Sequence, residues 1–253
     1  MAEEEPVFET TTGPPRIITA ASLFDGHDAA INVMRRLIQS AGAEVIHLGH
    51  DQSAKAVVDC AIQEDAHGVA LTSYQGGHVE YFTYIRQLLD EAGCEHIRIF
   101  GGGGGTITPP EIKTLHESGI SKIYSPDDGR TMGLMGMIHH LMGIASEVDL
   151  IHPDRIASLD GPVTPADTAK VGLLLTMSES ADDATFKATL DKCRSSTEEV
   201  PVIGFTGTGG AGKSSLLDEL MLRILRDNPG KKVCLLCVDP TRKRTGGALL
   251  GDR

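Results

Sequence analysis

The sequence predicts an α/β chain: a doubly wound parallel sheet, a helical stretch, then the opening of a second α/β module. Three observations carry this. Short apolar runs alternate with amphipathic helical patterns five times between Ile17 and Ala145. Four of those runs lead directly into segments rich in glycine or polar residues. A later apolar run leads into Gly207-Thr-Gly-Gly-Ala-Gly212-Lys213-Ser214, followed by another helical pattern.

Bulk properties set the limits. With 253 residues, 40% hydrophobic and 23% charged, the chain has a globular composition and room for one large or two ordinary domains. A net charge of −12 argues against a broad nucleic-acid or anionic-membrane surface. There is no run of about 18 apolar residues, the length a membrane span needs. The start, Met1-Ala-Glu-Glu-Glu-Pro6, is acidic and lacks the apolar core of a secretory signal. Cys60, Cys94, Cys193, Cys234 and Cys237 are odd in number and scattered, as expected for reduced thiols in a cytoplasmic protein. Cys234-Leu-Leu-Cys237 has redox or metal spacing, yet it lies inside the apolar run Val233 to Val238, where buried strand filler is expected.

Taken in order, residues 1–15 offer Glu, Thr, Gly and Pro with little to bury, and a disordered tail is expected. Buried parallel strands are expected at Ile17–Ala20, Val45–Leu48, Gly68–Leu71, Ile97–Phe100 and Ile120–Tyr124. Helical patterns lie between and after them, at 30–41, 53–65, 79–92, 109–118 and 130–145. Ala41-Gly42 and Ala92-Gly93 read as helix stops. This alternation, with right-handed crossovers, predicts a five-stranded domain over 16–145 in the order 2-1-3-4-5, of the flavodoxin or Rossmann-like kind.

Ligands in such sheets bind at the carboxyl ends of the strands. The loop after strand 1 holds Asp25-Gly26-His27. Strand 3 leads into Ser73-Tyr74-Gln75-Gly76-Gly77-His78, strand 4 into the five glycines Gly101 to Gly105, and strand 5 into Ser125-Pro126-Asp127-Asp128. Strand 2, with Gly49-His50-Asp51, has a plainer loop. An imidazole can ligate a metal through one nitrogen while the other gives its N–H to a carboxylate, which fixes the tautomer. The same Asp-x-His also suits a polar surface loop or a helix cap, and a glycine run also suits a mobile loop.

Asp25-x-His27-x-x-Ala30, then 42 residues to Ser73-x-Gln75, then 25 to Gly101, resembles the cobalamin-binding domain of B12-dependent mutases. That family carries Asp-x-His-x-x-Gly, Ser-x-Leu and Gly-Gly at such spacings. Ala30 replaces the usual Gly and Gln75 the usual Leu; Ser-Tyr-Gln-Gly-Gly-His resembles the isobutyryl-CoA mutase branch. The resemblance implies that His27 is the lower axial ligand of cobalt, that Asp25 bonds its far nitrogen, and that Ser73 bonds the displaced nucleotide tail. Gly101, Gly102 and Gly103 would line the slot for that tail, with Gly26, Tyr74, Gln75, Gly76, Ser125 and Pro126 as further contacts. His78 is expected to be helix-terminus polarity. His50, His67, His96, His116, His139, His140 and His152 suggest no partner.

Residues 146–199, with helical patterns at 166–179 and 183–195, read as a linker. Val202–Thr206 is an expected strand, and Gly207 to Ser214 then forms G-x-x-x-x-G-K-S. Backbone N–H groups of Gly207, Gly209, Gly210, Ala211, Gly212 and Ser215 would wrap phosphate oxygens at the helix N-terminus. Lys213 would neutralise the β/γ charge and serve hydrolysis, and Ser214 would coordinate Mg²⁺. A strand at Lys232–Val238 ends in Asp239, a further candidate for Mg²⁺ through water. Asp239-Pro-Thr241 through Thr245-Gly-Gly to Leu-Gly251-Asp252 resembles the G-protein chaperones of B12 mutases, which implies GTP as the nucleotide and Asp239 and Asp252 as contributors to Mg²⁺ binding.

The two modules in this order resemble the amino-terminal part of the fused isobutyryl-CoA mutases. That resemblance implies adenosylcobalamin as cofactor, radical interconversion of isobutyryl-CoA and n-butyryl-CoA, and a GTPase that gates cofactor loading. The acyl-CoA would be bound by a mutase domain outside this chain, and the full-length protein would be a homodimer. Since 47 residues follow from Gly207 onward, the second module is expected to be truncated and the fragment to isomerise nothing. A corrinoid carrier or sensor, an NTPase metallochaperone and a receiver-type interaction domain are the alternative functions.

Overall fold

The computed structural model describes residues 6–194 and 200–237. The chain divides into two compact units, Met1–Thr197 and Glu198–Arg253.

The first unit holds β1 (Arg16–Ser22), α1 (Asp28–Ser40), β2 (Glu44–Gln52), α2 (Ala54–Gln63), β3 (Gly68–Thr72), α3 (His78–Glu91), β4 (Arg98–Gly102), α4 (Pro109–Glu117), β5 (Lys122–Tyr124) and α5 (Pro126–Ser146). The five strands form one sheet in the order β2-β1-β3-β4-β5, and each neighbouring pair is parallel. Both faces of a parallel sheet are covered, so its central strands are apolar throughout; all five residues of β3 are buried. Ile18, Ala20, Val69, Leu71, Ile99 and Ile123 meet Val57, Phe82 and Leu115 on one face. Ile17, Ala70, Phe100 and Tyr124 meet Ile38 of α1 and Ile138 of α5 on the other.

Helix starts follow local chemistry. Ser53 caps α2 by accepting from Ala56 N–H. Glu111 Oε2 accepts from Thr108 N–H and Oγ1 ahead of α4. Helix α5 is broken by Gly133, at φ 67° and ψ 174°. Among the described residues, no helix is long and apolar enough to cross a membrane.

Two expectations change in this unit. Residues 6–15 are not a structureless tail: Thr10 and Gly13 pair across a turn, Thr11 Oγ1 donates to Asp149, and Phe8 packs on the α1/α5 side of the core. The expected linker is helical over its described residues, 146–194, and does more than span a gap. Helices α6 (Pro153–Ala157), α7 (Thr168–Ser180) and α8 (Asp183–Cys193) bury Leu159, Leu173, Met177 and Cys193 in a small core of their own. Asp65, buried at the end of α2, ties them to the sheet. Its Oδ1 lies 2.6 Å from Arg155 Nη2 and its Oδ2 accepts from Thr176 Oγ1 at 2.8 Å. Arg16 Nη2, at the start of β1, donates to the same Thr176 hydroxyl. Helix α7 also comes so close to the last turn of α2 that a Cβ on Gly172 would lie 2.9 Å from the Ile62 carbonyl oxygen.

The second unit contains α9 (Lys213–Asp227). The apolar runs Val202–Thr206 and Lys232–Val238 form no strand among the described residues, and Val202 is 94% exposed. A parallel strand needs neighbours on its edges and cover on both faces, and no described segment of this unit supplies them. Cys234 and Cys237 are therefore exposed rather than buried strand filler. Asp239 and Asp252 lie outside the described residues.

Candidate functional site

Parallel register brings the carboxyl ends together. Ser22 pairs with Gln52, Ala21 with Thr72, and Thr72 with Gly102, so the loops that follow share one sheet edge. The chain turns after β1 through a bond from Asp25 N–H to Ser22 O. Asp25 is fully buried. One of its oxygens accepts the backbone N–H of His27 at 2.9 Å and lies 2.8 Å from His27 Nδ1. The other accepts Tyr74 N–H at 2.7 Å. Burial alone raises this carboxyl's pKa, but the Tyr74 and His27 bonds outweigh it and hold the group below its ordinary value.

A carboxylate only accepts, so Nδ1 of His27 carries a proton, and in the neutral imidazole Nε2 is the nitrogen with the free lone pair. The His27 side chain is 70% exposed, and its ring packs 5.4 Å from that of Tyr74. A buried carboxylate thus aims an exposed imidazole, the arrangement expected of a single metal ligand with an oriented outer partner. Gly26 between them has open space around it.

The β3–α3 loop supplies the adjoining wall. Ser73 is buried; its hydroxyl takes the Ser22 hydroxyl at 2.9 Å and its N–H bonds Gly102 O. Gln75 and Tyr74 are half-buried and Gly76 is exposed. Gln75 O accepts His78 Nδ1–H, so His78 closes this loop at the start of α3. Its Nε2 is buried without a hydrogen bond, 3.3 Å from Glu111 Oε2.

The glycines separate by cause. A Cβ on Gly101 would overlap the Phe82 ring and lie 2.7 Å from Ile123 Cδ1, so core packing accounts for Gly101. A Cβ on Gly103 would overlap the Ser73 carbonyl oxygen, which fixes how closely the two loops approach. Gly102 meets only Tyr124 O at 3.6 Å, and Gly105 meets nothing. Strand alternation puts Thr72 and Gly102 on the α1/α5 face, with Ala70 and Phe100. There Thr72 Oγ1 is buried with no hydrogen-bond partner. Ser125 and Pro126 begin α5; the Ser125 hydroxyl is engaged in a cap with Asp128. A cavity of about 630 Å³ lies elsewhere, lined by Cys94, Arg155 and Lys170 among others, and contains none of these residues.

In the second unit, Gly210 and Gly212 have φ of 77° and 81°, left-handed angles that glycine adopts without steric cost. Gly212 caps α9, so Lys213, Ser214 and Ser215 form its first turn. Lys213 Nζ donates to the carbonyls of Gly207 and Thr208 at 3.0 and 2.9 Å, closing the lysine over its own loop. Gly207, Gly209 and Ala211 complete an exposed loop whose N–H groups lead into a helix N-terminus, the setting in which phosphate binds.

Sequence reasoning missed Ser22, Asp51 and Thr72, which carry no motif of their own and enter through strand register. It also missed the partners of several histidines. His67 Nδ1 accepts Arg16 N–H, His116 Nε2 accepts Ile123 N–H, and Nδ1 of His140 meets the Tyr124 hydroxyl.

The fold and the two loops define a B12-binding domain followed by a P-loop GTPase module. Residues 15–123 match the B12 binding domain family, and residues 171–253 match the family of methylmalonyl Co-A mutase-associated GTPase MeaB. That second match begins upstream of Val200 and takes in most of α7 and all of α8. The fused isobutyryl-CoA mutase of Geobacillus kaustophilus (strain HTA426) is 50% identical over 245 residues, covering 94% of this chain. That of Nocardia farcinica (strain IFM 10152) is 52% identical over 244 residues, covering 95%. Among solved structures, a cobalamin-binding protein from Desulfitobacterium hafniense DCB-2 has a TM-score of 0.43 at 18% identity, over 51% of this chain and 58% of that one. The chain belongs to the fused isobutyryl-CoA mutase family, and it spans 22% of the length of each of these two relatives.

Proposed function

We infer that His27 Nε2 is the lower axial ligand of cobalt in bound adenosylcobalamin, with the cofactor's own base displaced. The observation that carries this is the buried Asp25 carboxylate on Nδ1 of an exposed imidazole. The site fits the group in two further ways. Thr72 Oγ1 is a buried polar atom without a partner on the α1/α5 face, beside Gly102, where no side chain intrudes; a polar nucleotide tail laid there would satisfy it. Tyr74 packs against one side of the His27 ring.

In this reading Asp25 holds the tautomer and direction of His27, the segments Ser73–Gly76 and Gly102–Gly103 wall the tail slot while Gly101 packs the core behind it, and Ser125 and Pro126 stand at its end. The cofactor, when bound, supplies radical chemistry at its upper cobalt–carbon bond, which the residues here position and shield. The acyl-CoA substrate, in the isobutyryl and n-butyryl interconversion, is bound by a mutase domain outside this chain, in a cytoplasmic homodimer. The P-loop binds GTP: N–H groups of Gly207 to Ser215 cradle the phosphates, Lys213 leaves the Gly207 and Thr208 carbonyls for them, and Ser214 with Asp239 and Asp252 holds Mg²⁺.

The test is a titration of the chain with adenosylcobalamin, followed optically, for wild type and His27→Ala. Wild type displaces the cofactor's own base yet keeps a nitrogen-ligated spectrum, and its Co(II) form shows EPR coupling to one histidine nitrogen, marked by isotope labelling of the protein's histidines. Unchanged coupling in His27→Ala excludes this ligand. For the second unit, Lys213→Ala in the full-length protein abolishes GTP binding by calorimetry; unaltered affinity excludes the P-loop role.

A further inference from the structure

The segment Gly49-His50-Asp51 reads as a plain loop in the sequence, yet it forms the bulged end of β2 and is tied to the turn that precedes Asp25. Asp51 Oδ1 accepts Phe24 N–H at 2.7 Å, across 27 residues of sequence. Phe24 is the third residue of the turn closed by Asp25 N–H on Ser22 O, and its φ is 63°. That position of a turn belongs to glycine or asparagine when φ is positive; an aromatic residue there carries a steric cost. Phe24 is also 75% exposed, so burial of its own ring does not offset that cost. Asp51 too is left-handed, at φ 57°. It sits where the β1–β2 register slips twice, Ala20 pairing with Gly49 and Ser22 with Gln52. Such bulges re-aim side chains beside sites. On the far side, Tyr81 hydroxyl donates to Gln52 O and pins the bulged strand to α3.

We propose that Asp51 is a positioning residue: it holds Phe24 in the left-handed turn and thereby fixes the direction in which the β1–α1 loop presents Asp25 and His27. This rests on His27 being the cobalt ligand. Asp51 touches neither the imidazole nor the metal; it acts through the Phe24 N–H. The strain at Phe24 predicts how its loss is repaired, because glycine at position 24 takes the same backbone angle without cost.

The experiment compares the full chain as wild type, His27→Ala, Asp51→Ala, Asp51→Asn and Asp51→Ala combined with Phe24→Gly. Each is titrated with adenosylcobalamin; at saturation, anaerobic photolysis splits the cobalt–carbon bond homolytically, and the fraction of the resulting Co(II) coupled to an isotope-labelled histidine nitrogen is read by EPR. Asp51→Ala is expected to weaken binding about fivefold, as for one hydrogen bond on an exposed loop, and to lower the coupled fraction. A purely structural role would lower the amount of folded protein and leave that fraction alone. Asp51→Asn keeps an acceptor oxygen and stays near wild type, and Phe24→Gly restores the Asp51→Ala variant. Wild-type coupling in Asp51→Ala, or no recovery in the double variant, overturns the role of Asp51 while leaving His27 as the ligand. Absence of coupling in wild type itself overturns the cobalt reading and this inference with it.

Discussion

Tyr74 gives its backbone N–H to Asp25 Oδ2 at 2.7 Å, across 49 residues of sequence. One carboxylate therefore joins the loops after β1 and β3 and, through its other oxygen, sets the His27 ring. The direction of the exposed imidazole depends on a loop from a neighbouring strand.

Asp25→Asn tests that dependence. An amide nitrogen in place of one oxygen meets either Tyr74 N–H or His27 Nδ1–H donor to donor. Corrinoid affinity is expected to fall roughly 10- to 100-fold, the usual cost of losing a ligand's outer partner. The carboxyl's folded pKa is depressed, so its stabilisation is present above the unfolded value near 3.8 and lost as pH falls through the lower folded value. Acid unfolding of wild type should steepen below that range relative to Asp25→Asn; superimposable acid limbs would argue against it.

The glycine run can be dissected by adding one methyl at a time. Gly101→Ala drives a Cβ into Phe82 and Ile123 and should cost about 1–3 kcal/mol of stability by overpacking. Gly103→Ala meets the Ser73 carbonyl, which is backbone and cannot yield like a side-chain end, so it should displace the β3–α3 loop and weaken corrinoid binding. Gly105→Ala meets nothing and serves as the comparison. Urea midpoints and spectral titrations read all three; equal effects would remove the distinction.

His67 is fully buried and neutral. Burial and the nearby Arg16 charge lower its pKa to about 4, and Nδ1 accepts Arg16 N–H. A proton there is disfavoured in the folded state, so this group's share of stability is complete above the unfolded pKa of 6.5 and declines as pH falls toward about 4. The span corresponds to about 3 kcal/mol. His67→Asn, whose oxygen can take the same N–H, should lose that pH slope in urea titrations; an equal slope in both proteins would place the effect elsewhere.

Arg155→Met tests the attachment of α6–α8. Burial raises the Asp65 pKa, but the nearby His96 imidazole and the bonds from Arg155 and Thr176 outweigh it and bring the group to about 2. Removing the guanidinium leaves a buried carboxylate with less compensation, at about 3 kcal/mol. Hydrogen exchange in α7 should rise more than in β3; uniform loss across the unit would contradict a local anchor.

The five-fold alternation gave the sheet order because right-handed crossovers leave few other ways to bury these runs. Asp25, His27 and the P-loop were legible because their chemistry fixes residue types at short spacing. Asp51, Ser22 and Thr72 were not, since each reaches the site only when strands align in register. Gly101 and Gly103 look alike in sequence and differ by which neighbour stands behind them. The apolar runs flanking the P-loop satisfy a strand pattern, but pattern alone does not form a ladder where the described residues offer no partner strand.

Sequence by itself determined which candidate metal- and phosphate-binding groups the chain offers, because a side chain's donors and acceptors travel with it wherever the chain goes. Tertiary structure decided which groups are buried, which tautomer the imidazole holds, and that residues 146–193 join the sheet domain through Asp65. Those depend on distances between segments far apart in the chain, and only packing sets such distances.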